Sequence, residues 1–375
     1  MNRLRELDGL RGLAALIVLI YHISLTYPSL AAPYYAQPVE GPLAFALTYT
    51  PLHLLRDGRM AVYIFFVLSG LVLALPVLAR GRAYPWLAYY PQRLIRLYLP
   101  VWAAVALGVA LIALVPRGAE MGSIWLESAP DTFGATQIAL DLTLVAGVGG
   151  VVSPLWTLRW EVLFSLLLPV YMFLATKFRR QWWALALASL ILIGVGFRLD
   201  NEYLSILPMF MLGVASAAGL DDIRRSGEAL KPRWRGLLLI CAALLLVSPW
   251  LAQLVSVPGG LVGHLRVAVA AGAMLTVWCA ICVPSFGNLL KARPFQWLGA
   301  ISFSLYLIHE PIVIASAFWF GAENLILAGV VSCFSSLLLA SVFLRFVERP
   351  SHRLALLVGR LLKGTLPQPS ASATR

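Results

Sequence analysis

Met60–Ala79, MAVYIFFVLSGLVLALPVLA, is twenty residues without a charge, bracketed by Arg59 and Arg80. At 1.5 Å per helical residue the run is ~30 Å long, which matches the hydrocarbon core of a bilayer. It reads as a helix because lipid offers no partner to an exposed backbone N–H or C=O. Nine further blocks of this kind lie on either side, at roughly 8–27, 97–115, 154–175, 182–199, 203–219, 236–254, 264–284, 297–320 and 325–345. Of the 375 residues, 60% are hydrophobic and 12% charged, too little charge to cover a soluble domain of that size. The short alternating segments of a membrane β-barrel are absent. The expected fold is an all-α integral membrane protein, a bundle of about ten transmembrane helices.

The connections alternate in charge. Arg3 and Arg5 precede the first block, and Arg80, Arg82, Arg93 and Arg96 follow the second. Lys177, Arg179 and Arg180 follow the fourth, Arg224, Arg225, Lys231, Arg233 and Arg235 the sixth, Lys291 and Arg293 the eighth, and Arg349, Arg353, Arg360 and Lys363 the tenth. The opposite connections hold only Arg56, Arg59, Arg117 and Arg198 near their edges. By the positive-inside rule the rich loops and both termini are cytoplasmic, in a bacterial plasma membrane. The net charge of +12 is spent on topology, so no nucleic-acid partner is expected.

Three features are ambiguous on this reading. Gln137–Val152 is apolar but short, and holds Asp141 and three glycines, so it reads as a re-entrant or interfacial part of a non-cytoplasmic excursion. The first block could be a signal peptide cut near Ser29-Leu30-Ala31, but its apolar run is long for one and carries a histidine, so retention is expected. The tail after Leu366 is polar and reads as disordered. Cys241, Cys279, Cys282 and Cys333 lie in apolar runs and read as packing residues. The five histidines show no metal-ligand spacing.

Ionisable groups inside a bilayer are costly and are candidate functional groups. Asp8, Arg11 and His22 fall on one stripe of the first helix, since Arg11 to His22 is three turns plus ~20°. Asp8 and Arg11 would equally serve as an end anchor, and His22 as an interhelical hydrogen bond. Thr157, Glu161 and Ser165 share a face of the fourth helix. Axial rise alone puts Glu161 ~9 Å and His22 ~12 Å below the outer boundary, so the two are expected to meet. A carboxylate there would fix the imidazole tautomer and support a general base; a structural ion pair is the alternative. On the ninth helix Ser302, Tyr306 and His309 share a face, and His309 is a second base candidate or helix–helix glue. Ser69-Gly70 reads chiefly as a close-packing surface. Arg93 and Arg96, one turn apart at the start of the third block, suit phosphate, and equally suit topology or lipid head groups.

Six segments, in order, resemble the membrane acyltransferase family 3, which contains bacterial O-acetyltransferases of surface polysaccharides. They are LDGLRGLAALIVLIYH (Leu7–His22), FFVLSGLVL (Phe65–Leu73), RLIRLYLPVW (Arg93–Trp102), PLWTLRWEVLFSLLLPV (Pro154–Val170), LGAISFSLYLIHEPI (Leu298–Ile312) and VERPSHRL (Val347–Leu354). The resemblance implies a ten-helix acyltransferase domain over residues 1–350, followed by a cytoplasmic tail over 351–375. It implies transfer of an acyl group, by default acetyl, from cytoplasmic acyl-CoA to a hydroxyl of a sugar, glycan or glycolipid. It makes Arg11 and His22 the R-x10-H motif, with His22 as base or acyl carrier. Arg93 and Arg96 become the R-x-x-R motif at the donor phosphates, and Glu161 the fourth-helix acid. Thr157 stands where a serine is common, and Arg159-Trp160 replace smaller or acidic neighbours. Acyl-CoA is then a substrate, with no permanently bound cofactor, and lipid is the surrounding partner. The competing class is a transporter or channel, which would show broken helices in paired halves; no such symmetry is visible.

Overall fold

The computed structural model describes residues 4–144, 149–254 and 259–364, and every regular element among them is helical. The long helices are α1 (Arg5–Leu25), α2 (Gly58–Arg80), α3 (Trp86–Leu114), α4 (Leu155–Lys177), α5 (Trp182–Arg198), α6 (Glu202–Ala218), α7 (Pro232–Leu254), α8 (Gly259–Cys282), α9 (Arg293–Phe320) and α10 (Leu325–Phe343). They correspond to the ten blocks, with most ends moved by a few residues and the start of the third moved further. Side chains cap some of the starts: the Asp57 carboxylate accepts from Met60 N at 2.9 Å, and Asn201 Oδ1 accepts from Leu204 N at 3.1 Å. Seven prolines lie inside helices, which neighbouring helices make tolerable in a membrane.

Nine helical segments among the described residues are long and apolar enough to cross, α5 among them once the turn Arg179–Gln181 before it is included; α6, at 17 residues, reaches that standard only with the Leu220–Ala229 helix, bent from it by 69°. The packing shows that α6 must count. Helices α1 and α9 run parallel: Gln296 Nε2 donates to Arg5 O at 2.7 Å at one end, and His309 meets His22 near the other. Parallel first and ninth helices require seven crossings between them, and six would reverse α9.

Helix α9 is the axis, with 89% of its most apolar stretch buried, whereas α5 and α7 bury 22% and leave their other faces to lipid. Backbone approaches backbone where glycines allow it. A Cβ on Gly12 would stand 2.3 Å from Gly299 N, and one on Gly299 would stand 2.3 Å from Asp8 O. Gly70 and Gly213 join α2 to α6 in the same way.

One expectation changes here. The third helix begins at Trp86, not near residue 97, so Arg93 and Arg96 lie two to three turns inside it rather than at its mouth. Leu344–Glu348 forms a π-helical turn and Arg349–Gly364 a further helix, α11, within the tail expected over 351–375; the stretch after Leu366, expected to be disordered, lies outside the described residues. The Gln137–Val152 excursion does not cross. Its helix spans Ala135–Thr143, and the buried Asp141 carboxylate accepts from the N–H groups of Gly149 (2.5 Å), Val151 (2.8 Å) and Val152 (3.3 Å); residues 145–148 of it are not described.

On the face away from the basic loops, Arg56 is 2% exposed. Its Nε donates to Ser24 Oγ (3.1 Å) and its Nη2 to Leu30 O (2.6 Å), so it ties the end of α1 to the start of α2. His53 is fully buried beside it, its ring tilted against that of Trp250 with centroids 4.3 Å apart, 3.6 Å from Asp57 and in hydrogen-bond contact with Tyr34. Burial, then the Arg56 charge, push the His53 imidazole down to about 3.

Candidate functional site

A cavity of about 380 Å³ runs into the bundle from Arg349 and His352 on α11 up to Thr157 and Tyr306. Arg11, Arg93 and Arg96 line it, with Asp8, Glu161 and Glu348 as its acids. The acids are engaged. Arg93 Nη2 donates to Glu161 in a short ion pair, and its Nε donates to Ser165 Oγ at 3.0 Å. Ser69 Oγ donates to the same Glu161 oxygen at 3.1 Å. Asp8 lies 3.3 Å from Arg11 Nη2. Glu348 accepts from Ser304 Oγ at 2.5 Å, aimed there by the π-helical turn before α11. Arg11 Nε is buried without a hydrogen-bond partner among the described residues, and four arginines face three carboxylates along the walls. An anion with several oxygens would satisfy that imbalance.

The two histidines lie beyond the inner end. His22 Nδ1 is 3.0 Å from Val18 O and 3.0 Å from His309 Nε2, and His309 Nδ1 is 2.9 Å from Leu305 O. They are 8% and 1% exposed, and neither lines the cavity. Tyr306 belongs to both regions. It lines the cavity, its ring is 5.9 Å from that of His309, and its hydroxyl lies 2.9 Å from Thr157 Oγ1 and donates to Pro154 O at 3.2 Å. Phe65 packs edge-on against it. Trp125, from the short helix Ile124–Glu127, lies 5.6 Å from the His22 ring on another side.

The expected meeting of His22 with Glu161 does not occur. Axial rise located both at a similar depth but carried no information about azimuth: α1 turns His22 onto α9, while α4 turns Glu161 towards α2 and α3. The shared face of α9 also divides, with Ser302 and Tyr306 on the cavity and His309 behind it. Ser69 is more than a packing residue, since it donates to Glu161. Asp8, Arg11, Arg93, Arg96 and Thr157 all reach the cavity. Sequence reasoning missed Glu348 and His352, although both fall within VERPSHRL. It also passed over Glu310, which accepts from Ser153 N at 2.6 Å and from the Ser153 hydroxyl, and so fastens the start of α4 to α9.

A family model described as an acyltransferase domain matches residues 4–345. The chain is 26% identical over 335 residues to the acyltransferase MdmB of Streptomyces mycarofaciens, covering 83% of this chain and 79% of that one. It is 24% identical to the putative peptidoglycan O-acetyltransferase YrhL of Bacillus subtilis, over 92% of this chain and 54% of that protein. No solved structure gives a significant match. With a match that runs from the start of α1 to the end of α10, the chain belongs to the membrane acyltransferase family 3.

Proposed function

We propose that the protein transfers an acyl group, acetyl by default, from acyl-CoA on the cytoplasmic side of a bacterial plasma membrane to a hydroxyl of a sugar or glycan. The observation that carries this reading is the arginine-rich cavity ending at Tyr306, one helical turn short of the histidine pair. The phosphates of acyl-CoA are multi-oxygen anions, and Arg96 is the cation best suited to hold them, because Arg93 is paired with Glu161 and Arg11 lies 3.3 Å from Asp8. The pantetheine arm is long and slender, and would carry the thioester up the cavity towards Thr157 and Tyr306.

His22 then acts as general base. Its free ring nitrogen takes the proton of the acceptor hydroxyl, the oxygen attacks the thioester carbonyl, the C–S bond breaks, and the thiolate leaves with CoA. A glycan acceptor is supported by the peptidoglycan relative, and the basic loops support the cytoplasmic donor face.

The test is CoA release. Purified protein in nanodiscs receives acetyl-CoA with and without a glycan acceptor, and wild type is compared with His22→Ala. Acceptor-stimulated release in the wild type and its loss in the variant support the reading. If the wild type neither binds acetyl-CoA nor releases CoA above the variant, the donor assignment fails and a permeation pathway becomes the leading account of the cavity.

A further inference from the structure

We infer that His309 is the positioning residue of His22: it fixes the His22 tautomer and receives the hydrogen bond that its protonated form strengthens, the part usually filled by a carboxylate. The inference deepens the acyl-transfer reading and rests on it.

The hydrogen positions follow from the acceptors. A backbone carbonyl can only accept, so the 2.9 Å contact of His309 Nδ1 with Leu305 O puts a hydrogen on that nitrogen. In a neutral imidazole the other nitrogen then keeps its lone pair. His22 Nδ1 faces two acceptors, Val18 O and His309 Nε2, each at 3.0 Å. It therefore carries a hydrogen shared between them. The consequence is that Nε2 of His22 is the unprotonated, basic nitrogen. It makes no hydrogen bond among the described residues, and its residue keeps a trace of exposure. One directed chain, His22 to His309 to the Leu305 carbonyl, leaves a single atom ready to accept a proton.

No carboxylate competes for that place. Glu161 is held by Arg93 and Ser69, and Glu310, the neighbour of His309 in sequence, is held by Ser153. The other aromatic groups against the pair are Tyr21 and Trp125 at His22 and Tyr306 at His309, and among the described residues none hydrogen-bonds to either ring. Each imidazole is also anchored to the carbonyl four residues earlier in its own helix, so each ring is oriented without help from substrate. Simple interhelical adhesion would not require every donor to point in one direction.

When His22 Nε2 takes the acceptor proton, the ring becomes an imidazolium. Its Nδ1–H, now a charged donor, strengthens the bond to the His309 lone pair. No proton has to leave His22 towards His309, and it can return to the departing thiolate.

The experiment compares His309→Gln, whose carboxamide oxygen can accept from His22, with His309→Phe, which fills the space without an acceptor. Both are measured as full chains in nanodiscs for kcat, KM for acetyl-CoA and thermal midpoint. In His309→Phe, kcat falls about 10- to 100-fold, a part of the rate a positioned base supplies, while KM stays within about twofold; His309→Gln recovers most of the loss. If His309→Phe does not fold, His309→Leu against His309→Gln makes the same comparison. Unchanged kcat in His309→Phe overturns the assignment, and so does an equal loss in both variants with intact donor affinity and midpoint. Wild-type release by His22→Ala would instead sink the underlying reading of His22, whatever the His309 variants do.

Discussion

Glu161 of α4 is paired with Arg93 of α3, and the carboxylate lies in a different layer of the bundle from His22. The pair is partly buried, with side-chain exposures of 12% for Arg93 and 27% for Glu161. It shapes the wall of the cavity and makes no contact with His22.

Glu161→Gln therefore lowers KM for the acyl donor, by several-fold, with kcat little changed, because it takes a negative charge out of the cavity and frees that of Arg93 for the donor phosphates. Stability falls by roughly 1–3 kcal/mol, less than for a fully buried pair. Steady-state kinetics and a melting curve check both; a selective fall in kcat would restore the carboxylate to the base.

Arg96→Ala raises donor KM by about 10- to 100-fold, the cost of one charge-assisted phosphate contact or two. The remaining affinity depends less on ionic strength than that of the wild type, since one screened attraction has gone. Donor binding measured over a salt series reads both effects.

Tyr306→Phe keeps the ring and removes the hydroxyl that reaches Thr157 and Pro154. Acceptor-independent CoA release rises several-fold as the partition between cavity and histidines loosens. Tyr306→Phe and Thr157→Val each destabilise by about 1 kcal/mol, and the double variant costs less than the sum because both remove one shared bond. Additive losses would show that the two hydroxyls act separately.

The His53 knot gives the fold an acid limit. Its folded value, about 3, is below the ordinary value of 6.5, so between those limits the unfolded chain binds a proton that the folded chain refuses. Stability is full above pH 6.5 and declines as pH falls, by about 1 kcal/mol from pH 7 to 5.5. Asp57 is raised by burial and acts in the opposite sense. Thermal midpoints in detergent from pH 7.5 to 5.5 show the slope, and His53→Gln flattens it.

The membrane spans were legible because the bilayer imposes a length and the loops a charge, both one-dimensional properties. Arg11, Arg93 and Arg96 could be named for the same reason: a charge within an apolar run announces itself. Partners could not be assigned, since the azimuth of one helix against another is set by packing at residues such as Gly12 and Gly299, whose role depends on what lies opposite. His309 was visible as a buried imidazole, but its bond to His22 joins residues 287 apart. Glu348 escaped because it follows the last apolar block, where a π-helical turn, not an ordinary helix, directs it inward.

Between Gly12 and Gly299 no layer of side chains separates α1 from α9. Two rods in backbone contact act as calipers closed at the joint: the gap between their tips, the two imidazoles, is set at the other end of the bundle. Small sliding movements are blocked, because such a seam re-engages only in steps of about a turn. A ligand entering the cavity then meets a fixed side, α1 with α9, and the wall free to yield to it is the facing one of α2 and α4.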